Sequence, residues 1–411
     1  MQYLNLTSSE ALEYIKNNNV FLTGPPGSGK SYLTKQYIEY CLKTKTNNEY
    51  VGISASTGIA GKILGGYTIH SLSGIGIVDS KTEYSSVFNR VKNNRRSLSK
   101  WKKMSVLIID EISLLDMKTF SFLDKVGRDV RNIDKPFGGI RLLVVGDFFQ
   151  LPPVNGKYAF KYDEWENVFD FGINLTNIYR SNDNKLNKIL KYIRKGKQLN
   201  DKMIEQLQER VSENEEYPVL VPLKYLANNI NSRKLKENKN EEVEFTATYY
   251  YDKKKEYLKD TITKMCPYQE KLILKPGCPV INLVNDPLNG IVNGQIGKYI
   301  KLDANGIIVN FDDKLCVIKK HMWQKELPEK ELIAMEQYPV NLCYSITIHK
   351  SQGQTLTQAS MVLNKNVWEK GQGYVALSRL QSLDGLYLLD FHPDIFKVDK
   401  SVKKYYKNFK K

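Results

Sequence analysis

The 411-residue sequence predicts an α/β protein with two parallel-sheet lobes and a small antiparallel β-barrel inserted into the second. Three observations carry that expectation. Short β-rich runs alternate with amphipathic helical stretches through the first half. The apolar runs are continuous rather than alternating, as in strands covered on both faces. From about Lys275 the texture changes to closely spaced strands with Gly and Asn turns, and α/β texture returns near Gln337.

Taken in order, "NVFLTG" predicts a strand and Lys30 to Leu42 a helix. "YVGISAS", "SVLIIDE", "RLLVVGD" and "FGINLTN" predict four further strands. The polar, basic stretch between Ile77 and Lys103 has no place in a buried sheet and reads as an excursion from it. Its Arg90, Arg95, Arg96, Lys100, Lys102 and Lys103 suit phosphate contacts or a solvated face. "NKLNKILKYIRKGK" predicts a basic helix, "YPVLVPL" a strand and "YLANNINSRKLKE" a helix, while 238–275 is charged and Tyr-rich with no clear period. "CPVINLV", "GQIGKYIKL", "ANGIIVNF" and "KLCVIKK" are the expected barrel strands, and "YSITIHKSQG", "QASMVLN" and "GLYLLDF" rebuild a parallel sheet. The expected division is a first lobe over 1–178 carrying the 77–103 excursion, a second lobe over 179–240 and 336–411, and an inserted region over 241–335. The C-terminal "KKYYKNFKK" reads as an ordinary exposed end rather than a basic tail facing a polyanion.

Lys and Arg number 61 against 45 Asp and Glu, so the net charge is +16, which favours a polyanion partner over solubility alone. The five cysteines are scattered and never form a C-x-x-C pair, and the four histidines have no metal-ligand spacing. Neither a disulfide framework nor a zinc site is indicated. The longest apolar runs are too short to span a membrane, and the N-terminus lacks signal or transit character. An intracellular, reducing compartment, cytoplasm or nucleus, and no membrane partner are expected.

Three stretches carry chemistry. "GPPGSGKS" places Gly24, Pro25, Pro26, Gly27, Ser28, Gly29, Lys30 and Ser31 in the pattern G-x-x-x-x-G-K-[ST], after a strand and before a helix. Its backbone N–H groups would curl around phosphate oxygens, Lys30 would meet the β- and γ-phosphates, and the Ser31 hydroxyl would reach Mg²⁺. "VLIIDEIS" sets Asp110 and Glu111 at the carboxyl end of a strand, where ligands of open parallel sheets bind. Asp110 would hold the Mg²⁺, and Glu111 would orient and deprotonate the attacking water. "LVVGDFFQLPPV" delivers Gln150 to a neighbouring strand tip, where its amide can meet the γ-phosphate or the water. Pro152 and Pro153, with no N–H to donate, stop the strand. Tyr67, Phe148 and Phe149 could stack bases, but aromatics at strand ends are more often core.

"GPPGSGKS", "ASTGIAGKILGGYTIHSLSGIGI", "LIIDEISLLD", "VVGDFFQLPPV", "LTNIYRSND", "YSITIHKSQGQTL" and "GQGYVALSRLQSLDGLYLLDF" occur in this order. Together they resemble the motif series of superfamily 1 DNA helicases of the Pif family, related to the RecD and Dda helicases. The resemblance covers nearly the whole chain. It implies two RecA-like lobes that use ATP and Mg²⁺ to move 5′ to 3′ along single-stranded DNA and unwind duplex or forked DNA; the sequence itself is silent on oligomeric state, and a monomer is the expectation. It implies that Arg180 and Arg379 act as arginine fingers and that Gly353 lies at the nucleotide. Thr57, His70, Ser71, His349, Lys350 and Gln352 are implied in the DNA track, where sequence-blind phosphate contacts are needed. The excursion falls where the family has a duplex-splitting wedge. A translocase or remodeller that does not separate strands is the alternative. In one place the chain departs from the family, with Glu10 where a glutamine usually reads the adenine edge; a carboxylate can only accept there.

Overall fold

In the computed structural model the first five predicted strands pair into one parallel sheet, and two short strands extend it at its edges. The structure describes residues 1–179, 181–215, 218–286, 289–291, 293–326 and 332–410. Two compact units result, Met1–Glu215 with Ser351–Lys411, and Glu216–Lys350.

The sheet of the first unit holds β1 (Gln2–Leu6), β2 (Val20–Thr23), β3 (Tyr50–Ala55), β4 (Tyr67–Thr68), β5 (Met104–Asp110), β6 (Arg141–Val145) and β7 (Phe171–Leu175). Their spatial order is β1-β7-β2-β6-β5-β3-β4, and every described pairing is parallel. Because β2, β5 and β6 lie inside, both faces need apolar cover, which explains their unbroken hydrophobicity. On one face Val20, Leu22, Leu143 and Val145 pack against Ala11 and Ile15 of α1 (Ser8–Asn17) and Leu33, Tyr37 and Ile38 of α2 (Lys30–Thr44). On the other, Phe21 meets Phe148 and Trp165.

Between β3 and β5 run α3 (Gly58–Ile63), α4 (Ile69–Ser73), α5 (Tyr84–Asn93) and α6 (Arg95–Lys103). The excursion is therefore a helix pair. It is anchored by buried Val87, Val91 and Trp101, whose indole N–H donates to the Ser73 carbonyl at 2.9 Å. Arg95 and Arg96 are exposed. Then follow α7 (Met117–Arg131), α8 (Trp165–Val168), α9 (Asn184–Arg194) and α10 (Asp201–Gln208).

In the second unit β8 (Val219–Val221) lies beside α11 (Lys224–Glu237), and β9 (Val243–Thr246), β10 (Thr248–Tyr250) and α12 (Tyr257–Met265) occupy the stretch that showed no period. β11 (Lys271–Leu274) pairs antiparallel with β9. β12 (Pro279–Asn282), β13 (Ile296–Asp303), β14 (Gly306–Phe311) and β15 (Lys314–Ile318) continue to β16 (His321–Glu326), β17 (Leu332–Gln337), β18 (Val340–Leu342) and β19 (Ser345–Thr347). The expected barrel strands form an antiparallel sheet ordered β15-β14-β13-β12-β18, and closure between β15 and β18 is not among the described pairings. Val280, Tyr299, Val309 and Phe311 fill its core. Three further strands, β10-β17-β16, make a separate antiparallel sheet. β8 and β19 pair in parallel.

The chain returns to the first unit with the parallel pair β20 (Ala359–Leu363) and β21 (Leu386–Phe391), then α13 (Gln372–Leu377) between them and α14 (Lys400–Tyr405) after them. One expectation is corrected here: "KKYYKNFKK" is not an exposed end. Tyr405, Tyr406 and Phe409 are buried. Tyr405 stacks on Phe160 at 4.6 Å, and its hydroxyl accepts from the Trp165 indole at 2.9 Å. Phe409 meets Tyr3 of β1 at 4.7 Å. The apolar rings at spacings of one and four outweigh Lys404 and Lys407, which are exposed. Phe148 and Phe149 are core as well, whereas Tyr67 is exposed beneath the Lys100 ammonium.

Candidate nucleotide site

β2 ends at Thr23 and α2 begins at Lys30, so the phosphate loop spans six residues at the carboxyl edge of the sheet. Its shape requires glycine at two points. A Cβ on Gly24 would sit 2.7 Å from the Ser28 hydroxyl, and Gly29 caps α2 at φ +86°. The Lys30 ammonium donates to the carbonyls of Gly24 at 2.7 Å and Pro25 at 2.9 Å, folded back inside the loop. Burial pushes its pKa down to about 8, although the nearby carboxylates of Asp147 and Glu111 favour its charge.

β5 delivers Asp110, buried, and Glu111. Asp110 takes the Glu111 backbone N–H on its carboxylate at 2.8 Å. Burial and the adjacent Glu111 carboxylate raise the Asp110 pKa. Glu111 stands at φ +54°, a left-handed conformation that costs a non-glycine residue about 1 kcal/mol or more, and it lines the cavity at the phosphate loop. Gln352, expected on the DNA track, is 5% exposed and donates to the Glu111 carboxylate at 3.1 Å. Gln150 is 5% exposed as well. Its carbonyl oxygen and the Ser28 hydroxyl are buried polar atoms without a hydrogen-bond partner among the described residues.

Lys30, Ser31, Glu111, Gln150, Gly353 and Arg379 converge on one cavity of about 280 Å³, with Pro26, Gly27, Gly29, Tyr32 and Tyr179 completing its wall. The Arg379 guanidinium is 2% exposed and tied by its Nε to the Val375 carbonyl at 2.9 Å, by Nη1 to Gln354 at 3.2 Å and by Nη2 to the Ser378 hydroxyl at 2.8 Å. Arg180 lies outside the described residues. A larger groove of about 790 Å³ runs past Lys125, Lys157 and Lys161, but Asp163 and Asp399 share it and no phosphate loop opens into it.

Sequence reasoning missed Tyr179 and Tyr32. Tyr179 is exposed beside Gly29, and its N–H donates to the Gly27 carbonyl at 2.7 Å. Its signal was present: an aromatic next to a basic residue, after a strand that ends at the same edge. Glu10, at the place of an adenine-reading amide, instead takes the Thr7 N–H and hydroxyl at 2.8 and 2.7 Å as the capping box of α1.

The remaining DNA-track residues lie on several elements of the two units. Thr57 caps α3, accepting the Ala60 N–H at 3.3 Å, and Ser71 is exposed on α4. His70 is half-buried, which lowers its pKa. In the second unit, His349 and Lys350 occupy the 3-10 turn Ile348–Ser351, with Lys350 exposed.

Comparison with known proteins decides the family. Residues 6–210 match the model of PIF1-like helicases, and an ATP-dependent DNA helicase Pif1 of Bdellovibrio bacteriovorus is 36% identical over 99% of this chain and 92% of its own length. This chain is a member of the PIF1-like helicase family. A crystal structure of the Pif1 helicase from Candida albicans covers 99% of the chain and 100% of its own, with TM-score 0.87 at 29% identity. A Bacteroides Pif1 helicase in complex with ADP-AlF3 and single-stranded DNA covers 97% and 96%, with TM-score 0.77 at 27% identity. The chain spans 61% of the length of the human Pif1 helicase that it also matches. The α/β architecture expected of RecA-like lobes is thus the PIF1-like fold.

Proposed function

We propose that this family member is an ATP-dependent DNA helicase that moves 5′ to 3′ on single-stranded DNA and unwinds duplex or forked DNA. One observation carries the reading: an ammonium, a strand-end carboxylate, an amide and a guanidinium from four separate segments converge on one cavity at the phosphate loop. The buried Gln150 carbonyl oxygen, in the wall of this cavity and without a partner among the described residues, fits an attacking water. Among the described residues no three His, Cys, Asp or Glu side chains cluster as a metal site, so a bound Mg²⁺ would draw on phosphate oxygens and water for the rest of its shell. Ser31 and Asp110 would hold Mg²⁺, which when bound neutralises charge on the β- and γ-phosphates.

The roles follow from chemistry. Loop N–H groups and Lys30 bind the phosphates. Gln150 accepts from the water through its carbonyl and donates to the γ-phosphate through its amide nitrogen. Glu111 takes the proton from that water. Arg379, joined in this reading by Arg180, offers a fork to the three equatorial oxygens. Gln352, bonded to Glu111 in the structure, links the nucleotide to the "HKSQG" run. Thr57, His70, Ser71, His349 and Lys350 serve the DNA phosphates. The lobes of the motor are 1–178 and 179–240 with 336–411, the inserted region is 241–335, the helix pair within 77–103 is the wedge, and the working unit is a monomer.

The test is ATP hydrolysis with and without single-stranded DNA at low salt, followed by unwinding of forks with 5′ or 3′ tails. Strong stimulation by DNA together with unwinding from a 5′ tail is expected. A rate indifferent to DNA would overturn the reading, and stimulation without strand separation would reduce it to a translocase.

A further inference from the structure

A buried carboxylate that the mechanism above does not use lies directly behind the cavity. Asp147, three residues before Gln150, is fully buried, and the N–H of Gln150 donates to its backbone carbonyl at 2.9 Å. Its carboxylate receives both arms of Arg194, at the end of α9, with Nε at 2.9 Å and Nη2 at 3.0 Å. The Tyr374 hydroxyl, from α13, donates at 3.2 Å and the Tyr406 hydroxyl at 3.4 Å. Burial alone would disfavour the Arg194 charge, but the carboxylate beside it more than compensates and holds the guanidinium above its ordinary value.

The reach of this cluster matches the cavity's membership. Tyr406 also bonds the Thr23 hydroxyl at 2.6 Å, one residue before the phosphate loop. Tyr374 lies on α13, five residues before Arg379, which directly follows the helix's C-cap Ser378. Gly371, at the start of α13 with φ +84°, approaches so closely that a Cβ there would sit 2.6 Å from the Gln150 carbonyl. Asp147 is therefore linked to the segment of Arg379 through Tyr374 and to the start of the phosphate loop through Tyr406, and it shares a turn with Gln150. A buried bidentate pair adds little net stability compared with apolar packing, but it fixes geometry in two directions at once.

We propose that Asp147 and Arg194, completed by Tyr374, form a positioning unit that holds Gln150 and Arg379 in register with the phosphate loop. They are positioning residues: none of them lines the cavity. The proposal rests on the ATP-hydrolysing reading, and its consequence is specific. Loss of the unit should impair the step that needs the γ-phosphate and spare binding of a diphosphate, which needs only the loop.

The experiment compares Asp147→Asn, Arg194→Gln, the double variant and Tyr374→Phe with the full-length wild type. Three readouts are needed: kcat for ATP, affinity for the fluorescent probe mant-ADP, and the urea unfolding midpoint. The expected result is at least a tenfold loss of kcat in each charge variant and about threefold in Tyr374→Phe, with mant-ADP affinity held within twofold. The double variant leaves no lone buried charge, so its unfolding midpoint should recover toward wild type while kcat stays at least tenfold down. Recovery of kcat together with the midpoint would overturn the proposal and leave the pair a structural element only. So would a folded Tyr374→Phe with wild-type kcat, which carries the test if the charge variants fail to fold. A wild type that does not hydrolyse ATP would sink the functional reading and this proposal with it, whereas an active wild type with unaffected variants would sink the proposal alone.

Discussion

At the scale of single residues, Glu111 and Lys30 divide the chemistry, and each makes a separable prediction. Glu111→Gln keeps the shape and removes the base, so kcat should fall by about 10²–10⁴-fold while nucleotide binding persists; loss of binding instead would take Glu111 out of that role. Lys30 supplies a pH signature. Its pKa is lowered to about 8 by burial, so the ammonium that phosphates require is present below that pH and lost above it. kcat/KM for ATP should therefore decline as pH rises through about 8. Bound phosphates restore the charge, so kcat should stay flat over the same window; parallel decline of both would point to another group. These residues were legible because their motifs have fixed spacing. Gln352 was less so, since nothing in one sequence shows that an amide turns toward the nucleotide, and Tyr179 had only its place after a strand that ends at that edge to mark it. Glu10 was visible as a departure, but only the coordinates show its carboxylate committed to the cap of α1.

At the scale of elements, continuous apolar runs located five of the seven strands of the first sheet within a residue or two. β1 and β4 escaped because one is an edge strand with polar alternation and the other is two residues long. The closing segment was misread for a different reason. Its lysines dominate the composition, while its stability depends on Tyr405, Tyr406 and Phe409, the first and last of which find a partner at the other end of the chain, at Tyr3. No local pattern reports such a partner. Tyr405→Ala should cost about 3 kcal/mol of unfolding free energy by removing a buried ring that stacks on Phe160. Urea denaturation measures it, and a change under about 0.5 kcal/mol would mean the segment is a loose appendage after all. The expected barrel strands are likewise real and antiparallel; what their turn spacing could not convey is whether the outer pair closes.

At the scale of the whole molecule, the excess of 16 positive charges should appear as a salt dependence. Affinity for single-stranded DNA, measured by titration of the stimulated ATPase, should fall steeply with salt, with a log–log slope of about −2 or steeper if three or more phosphates are neutralised. A flat response would mean the charge serves solubility alone. The order of motifs announced the family before any coordinate did, since they recur along nearly the full length. What sequence order concealed is how far apart in the chain the parts of one core lie. Phe21, Phe148 and Phe160 belong to the first 160 residues, yet the ring that packs on all three is Tyr405. During synthesis at roughly 5–20 residues per second, those aromatics would leave the ribosome on the order of 10–50 s before their cover does. The N-terminal sheet thus has a built-in waiting period, when its stickiest surface is open and when a chaperone would be most needed.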